Sequence, residues 1–236
     1  MNDKHIQAWI FVRGDSLGLP GKNLRPLCGK PLIAYSIAAA KKCRFIRDVF
    51  VSTDSPTVAA AAEQYGAIVP FLRPAELADV ATPVYRSWRH AIEWNRTQTE
   101  FPRMDIMVSL PVTTPLRTPA EVTEAIELYL SGGCDSVVAV ARSNRHPAYD
   151  MVYRDEHGFA SLVLPNDDPL ARTRTTQVYD ITNLVHVSGC DYIMQESNYL
   201  RGKVGTIEVP REHGLDIRDI WDFKLAEIIL SEGGTK

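Results

Sequence analysis

Short apolar runs alternate with longer amphipathic stretches along most of the chain. Residues 8–12 (AWIFV) read as a buried strand, and residues 31–43 (PLIAYSIAAAKKC) as a helix with proline in its first turn. Residues 48–52 (DVFVS) form a second strand candidate. Ser55 and Pro56 then open an alanine-rich helix that runs to Tyr65 and stops at Gly66. A short strand over 67–69 and a helix over 82–95, with Pro83 at its start, follow. Residues 104–110 are a buried-strand candidate. Thr118, Pro119 and Glu121 supply cap, proline and acidic first turn for the next helix, which Gly132 and Gly133 close. Residues 136–141 (SVVAVA) are another strand. This β-α-β rhythm predicts an α/β fold: a mainly parallel sheet with helices on both faces.

From about 144 to 180 the rhythm breaks. Polar and turn residues dominate (EHG, PNDDP, ARTRTTQ), with a short strand-like piece at 151–153. A long irregular stretch of this kind usually carries function or a partner contact, and it is expected to be an arm inserted in one domain covering residues 1–236. Strands over 181–187 and 206–209 and a last helix over 219–230 complete the pattern, with Asp219 and Asp222 as its cap and first turn.

Composition narrows the function classes. The chain has 236 residues, 45% apolar and 23% charged, with a formal net charge of −3. That balance carries no electrostatic footprint of a nucleic-acid or membrane-surface binder. The four cysteines, Cys28, Cys43, Cys134 and Cys190, form no CxxC pair and read as reduced thiols. The first residues lack a signal peptide's apolar stretch and no segment is long enough to span a bilayer, so a cytoplasmic protein is expected. The six histidines show no metal-ligand spacing, and no Ser-His-Asp or Cys-His set stands out.

The stretch RGDSLGLPGKN, residues 13–23, follows the first strand. It is not a Walker A loop, because Ser16 stands where the first glycine is required and Asn23 where Ser or Thr is required. It is not a dinucleotide fingerprint either, since Gly14, Gly18 and Gly21 are spaced four and three apart. Its composition nevertheless suits a polyphosphate. Glycines let backbone N–H groups converge on phosphate oxygens, and Arg13 and Lys22 supply positive charge. The loop after the first strand lies at the carboxyl edge of a parallel sheet, where ligands bind. An ordinary glycine-rich turn is the alternative.

Arg13, Gly14, Ser16, Gly18, Pro20, Lys22 and Asn23, with GKPLIAYSI (29–37), VSTD (51–54), FLRPAELA (71–78), TPLR (114–117) and SVVAVA…HP (136–147), agree in order and spacing with one family. From Ile10 to about Ala226 the chain resembles the acylneuraminate cytidylyltransferases, the CMP-sialic acid synthetase group of nucleotidyltransferases. That resemblance implies a Rossmann-like, GT-A-like nucleotidyltransferase fold with a protruding dimerisation arm at 144–180. It implies CTP in the loop, Mg²⁺, a small acidic acceptor such as a sialic-acid-like 2-keto-3-deoxy sugar acid, release of pyrophosphate, and a homodimer. By the same resemblance Arg13 and Lys22 neutralise the phosphates, Asn23 touches the ribose and Arg73 reads the base. Gly14, Ser16, Gly18 and Thr82 complete the nucleotide set, and Pro111, Thr113, Tyr149, Arg172 and Arg174 the acceptor set. Arg73 as a structural ion-pair partner, and the two arm arginines as a solvated pair, are the competing readings.

Four positions depart from the family pattern. Leu17 replaces the loop lysine, Pro111 an acceptor-placing glutamine, and Tyr149 a position often basic. Most consequentially, the metal motif IDID reads LDIR, residues 215–218. Asp216 remains as the expected metal ligand, able to hold a cation that takes its other ligands from phosphate and water. Its partner carboxylate is Arg218, a fixed cation expected to stand in for the second metal or for the missing lysine. These departures leave open another ulosonic acid or a phosphonate as acceptor, GTP with a legionaminic-type sugar, and a non-catalytic nucleotide- or sugar-binding homologue.

Overall fold

The computed structural model describes residues 4–16, 18–167 and 176–233. In chain order the strands are β1 (Ile6–Val12), β2 (Pro26–Leu27), β3 (Lys30–Pro31), β4 (Asp48–Thr53), β5 (Ile106–Ser109), β6 (Ser136–Arg142), β7 (Val152–Arg154), β8 (Ala160–Leu162), β9 (Tyr179–Gly189) and β10 (Val204–Glu208). The helices are α1 (Leu32–Lys42), α2 (Pro56–Gln64), α3 (Ala75–Ala78), α4 (Val84–Thr97), α5 (Pro119–Leu130), α6 (Cys190–Gln195) and α7 (Ile220–Ser231).

Six strands form the central sheet in the order β10-β6-β9-β5-β1-β4. Five run in one direction and β9 runs against them. The mainly parallel sheet expected from the pattern is therefore present, with one reversed strand. The reason lies in the chain path. Arg142 at the end of β6 pairs with Tyr179 at the start of β9, so the segment between them leaves and re-enters at one edge and the returning strand must run back.

β1 shows how the sheet is covered on both faces. Ile6, Ala8, Ile10 and Val12 join the core packed by α1, α2, α5 and α7. Trp9 belongs to a second core cluster, with Trp88, Ala91 and Ile92 of α4 and Cys190 and Ile193 of α6. Trp9 stacks on Phe50 of β4 with centroids 4.7 Å apart and planes 15° apart. Alternate residues of one strand thus anchor two helix layers.

The caps read from the sequence form. Ser55 Oγ accepts from Val58 N, and Thr118 with Glu121 and Asp219 with Asp222 make capping boxes. The strand expected over 67–69 is reduced to isolated bridges, Phe50 with Ile68 and Thr53 with Leu72. Pro70 between them offers no N–H to a ladder. Within the arm, β7 and β8 pair as a small antiparallel hairpin. Among the described residues no helix is long and apolar enough to cross a membrane.

Candidate functional site

β1 has β4 on one side and β5 on the other, and the chain leaves their carboxyl ends in different directions. A crevice opens at such a point, and ligands bind there in open α/β sheets. Its floor is Phe11 and Val12, its walls the loop 13–23 and the turn Pro111–Val112–Thr113, and Arg218 reaches over it from the far end of the chain. The cleft measures about 350 Å³.

The loop is built to stay open. Gly14 N donates to Asp54 Oδ1 at 3.0 Å, and a Cβ at Gly14 would lie 2.8 Å from Ser55 Cβ. Asn23 Nδ2 donates to the Arg13 carbonyl at 2.8 Å, pinning the two ends of the loop together. Gly21, at φ 65°, turns the chain into a short 3-10 segment, Lys22–Leu24. Gly18 packs so closely on the Arg218 carbonyl that a Cβ would stand 2.1 Å from its oxygen. Lys22 Nζ donates to the Ile217 carbonyl at 2.7 Å, and Ile217 N donates to the Thr113 carbonyl at 2.8 Å. Three segments distant in sequence are thereby tied into one rim.

Arg13, Ser16, Gly18, Lys22, Asn23, Pro111, Thr113 and Arg218, all candidates from the sequence, line this one cleft. Asp15, which no motif singled out, lines it as well. Partial burial lowers the Lys22 pKa from its ordinary value; Asp216 and Asp222 oppose that, while Arg13 and Arg218 add to it. Gly14 sits at the loop's root. Arg73 lies behind the loop, its side chain only 3% exposed, where Nη2 donates to the Val12 carbonyl at 2.8 Å and stands 3.5 Å from Asp54 Oδ1. Its Nε is buried without a hydrogen-bond partner among the described residues. Burial lowers its pKa and Asp54 opposes the shift. In this arrangement Arg73 braces the end of β1. Thr82 is outside the cleft, its hydroxyl donating to the Glu76 carbonyl at 2.9 Å. Tyr149 stacks on His146, centroids 4.6 Å apart, and lines a separate polar pocket at the base of the arm. Leu17, Arg172 and Arg174 lie outside the described residues.

Asp216 stands beside the cleft. Its Oδ2 accepts from Asn183 Nδ2 at 3.1 Å and from Arg218 Nε at 3.0 Å. Among the described residues no group of three or more His, Cys, Asp or Glu comes together to hold a metal ion. Asp216 beside the cleft and Asp15 in its lining are the carboxylates that would hold a Mg²⁺ ion there, with phosphate and water oxygens as its other ligands.

Arg117, visible in the sequence only as the last residue of TPLR, holds the cleft's second wall. Buried, it donates to the Leu184 carbonyl at 2.8 Å, to Ser36 Oγ, and to the Pro111 carbonyl and Thr114 Oγ1. Burial brings its pKa down to about 9, with Glu121 opposing, so it stays charged at neutral pH. The only sequence signal was a lone arginine in an otherwise apolar and turn-forming stretch.

A second pocket, of about 250 Å³, adjoins the first and shares Phe11 and Pro111 with it. Trp88, Val138, Val185 and Tyr199 make it mainly apolar, and among the described residues no Lys, Arg, Asp or Glu lines it. His186 lines it too, its ring stacked on Trp88 at 4.7 Å. Burial drops the His186 pKa to about 3, so the ring is neutral there.

A family model described as cytidylyltransferase matches residues 8–143. The chain is 31% identical over 200 residues to a CMP-N,N'-diacetyllegionaminic acid synthase from Legionella pneumophila, covering 82% of each chain. It is 32% identical to an N-acylneuraminate cytidylyltransferase from Escherichia coli, a match that spans 94% of this chain and 51% of that protein. In three dimensions it is similar to a CMP:2-keto-3-deoxy-manno-octonic acid synthetase complexed with CTP. That structure superposes with a TM-score of 0.72 at 17% identity, over 97% of this chain and 99% of the other. A loop of glycines and cations at the switch point of the sheet, the matched model and these relatives agree: the chain belongs to the cytidylyltransferase family.

Proposed function

We propose that the protein transfers CMP from CTP to a sialic-acid-like 2-keto-3-deoxy sugar acid, with release of pyrophosphate. The observation that carries this reading is the juxtaposition of the Arg13–Lys22–Arg218 cleft with a mainly apolar pocket across a shared wall of Phe11 and Pro111. Triphosphate lies in the first and the body of the acceptor in the second. Relatives whose names specify CMP products support cytosine as the base and a sugar acid as the acceptor.

Transfer of this kind asks for positioning and charge neutralisation more than for covalent catalysis. Backbone N–H groups of the loop and the charges of Arg13 and Lys22 hold the phosphates. The wall of Pro111 and Thr113, fixed by Arg117, sets the distance between acceptor and nucleotide. The acceptor's hydroxyl oxygen bonds to the α-phosphorus as that atom's bond to the bridging oxygen breaks. The electron pair leaves with pyrophosphate, and the hydroxyl proton passes to solvent. Mg²⁺ held by Asp216, when bound, adds charge neutralisation to the phosphates. The same reading makes the 144–180 arm a dimer contact and the cytoplasm the enzyme's compartment.

The test is pyrophosphate release with each of four NTPs crossed with a panel of sugar acids and phosphonates. Release with CTP and a 2-keto-3-deoxy acid is expected. Release only with GTP, or only with a phosphonate, replaces the nucleotide or acceptor named here. Nucleotide binding without release across the panel favours a non-catalytic binding protein.

A further inference from the structure

The backbone at 216–218 is held from several directions while its arginine side chain is not. Ile217 is bonded through both N–H and C=O, to Thr113 and Lys22, and Arg218 N donates to Asp222 Oδ2 at 2.8 Å. Gly18 closes on the Arg218 carbonyl. The Arg218 side chain, in contrast, is 80% exposed and touches the rest of the described chain through one hydrogen bond, Nε to Asp216 Oδ2 at 3.0 Å. Asp216 is only 19% exposed, and its Oδ2 is shared with Asn183. A fixed platform therefore carries a movable cation that lines the phosphate cleft and neutralises the adjacent carboxylate.

We propose that Arg218 is an exchangeable counter-ion. With the cleft empty it pairs with Asp216. An incoming triphosphate draws the guanidinium onto its oxygens and frees the Asp216 carboxylate for a divalent cation, so nucleotide binds before metal. The inference rests on the cleft being the nucleotide site. Exposed ion pairs are weak, whereas guanidinium–phosphate contacts are charge-assisted and often bidentate, so the exchange runs toward the polyanion. The single bond through Nε leaves the outer amino groups of the fork to reach a phosphate. A guanidinium on the Asp216 carboxylate also keeps a bare cation from settling there beforehand. After the exchange Arg218 touches the reacting phosphates and counts as a catalytic residue.

The experiment measures Mn²⁺ binding by electron paramagnetic resonance, with and without CTP, and CTP binding by calorimetry in EDTA. It uses the full chain and the variants Arg218→Gln, Arg218→Lys and Asp216→Asn. Without nucleotide, Arg218→Gln should bind Mn²⁺ up to roughly fivefold more tightly than the parent protein, as expected for loss of an exposed pair. In EDTA it should bind CTP about tenfold more weakly, and Arg218→Lys should recover only part of that. CTP should raise Mn²⁺ affinity more in the parent than in Arg218→Gln, and least in Asp216→Asn, which lacks the carboxylate to be freed. Equal Mn²⁺ affinity of parent and Arg218→Gln in the absence of nucleotide overturns the proposal. So does unchanged CTP affinity in Arg218→Gln. The Mn²⁺ comparison needs no nucleotide, so it decides the pairing even if CTP fails to bind, a failure that instead removes the nucleotide reading. Arg218 is exposed, so its variants should melt at the parental temperature.

Discussion

Lys22 Nζ donates to the carbonyl oxygen of Ile217 at 2.7 Å, across 195 positions of sequence. One side chain thus both closes the phosphate loop onto the last turn of chain before α7 and supplies charge to the cleft between them. Its pKa is lowered, chiefly by burial. A lysine so placed loses its proton at lower pH than usual, and the lost charge weakens anion binding. CTP affinity in metal-free buffer should therefore fall as pH rises through the alkaline range, before an ordinary lysine would titrate. Lys22→Arg should remove that alkaline fall, because guanidinium stays protonated. Calorimetric titrations of both proteins between neutral and alkaline pH check it.

The two loop glycines separate space from conformation. A Cβ on Gly18 meets backbone, 2.1 Å from the Arg218 oxygen, and only displacement of one segment relieves it. Gly18→Ala should lower kcat/KM by roughly 100-fold, the scale of an ångström's misplacement at a reacting centre. Gly21 has φ +65°, and nothing lies within 4 Å of the place a methyl group would take. Gly21→Ala should cost about 1 kcal/mol of stability through its left-handed backbone and leave turnover near the parental value. Thermal melts and steady-state kinetics on both variants distinguish the two outcomes.

Removing the Arg117 guanidinium strands the Leu184 carbonyl in a buried site and leaves the Pro111 carbonyl to the Ser36 hydroxyl alone. Arg117→Met should destabilise the fold by roughly 2 kcal/mol, since a buried acceptor left unpaired costs about 1–3 kcal/mol. Because Pro111 walls both pockets, kcat should fall as well in whatever fraction remains folded. Urea unfolding gives the first quantity and pyrophosphate release the second.

His186 predicts an acid-labile core. Its folded pKa is about 3, against 6.5 for the unfolded chain, so the unfolded state binds the extra proton between those values. Stability contributed by the neutral ring is full above about pH 6.5 and is lost as pH falls toward 3, with a slope approaching ~1.4 kcal/mol per pH unit. His186→Phe should flatten that part of the stability–pH curve. Denaturant midpoints from pH 7 down to pH 4 would reveal a curve of unchanged slope if the ring has no such role.

What could be read from the residues alone was local. Ser55, Thr118 and Asp219 announce their caps because an N-cap bonds within three residues of itself. The loop's glycines and cations were legible for a similar reason: a strand end followed by Gly, Arg and Lys is a contiguous signal. Two readings of Arg73 were open, base contact or ion pair, because nothing in FLRPAELA says where its side chain goes. Asp54, only 3.5 Å away in space, is nineteen positions upstream.

The apolar pocket gave no sequence signal at all. Phe11, Trp88, His186 and Tyr199 come from β1, α4, β9 and the segment after α6, and each alone looks like core. The direction of β9 was equally hidden, being set by an arm that returns to the edge it left. Thus the amino-acid sequence by itself determined the elements, their caps and a cationic loop, all governed by interactions within a few residues. The tertiary structure alone decided that Gly18 closes on the Arg218 carbonyl, that Lys22 reaches Ile217, and that two pockets share a wall. Those contacts depend on the order of strands in the sheet, which joins segments that local propensity cannot relate.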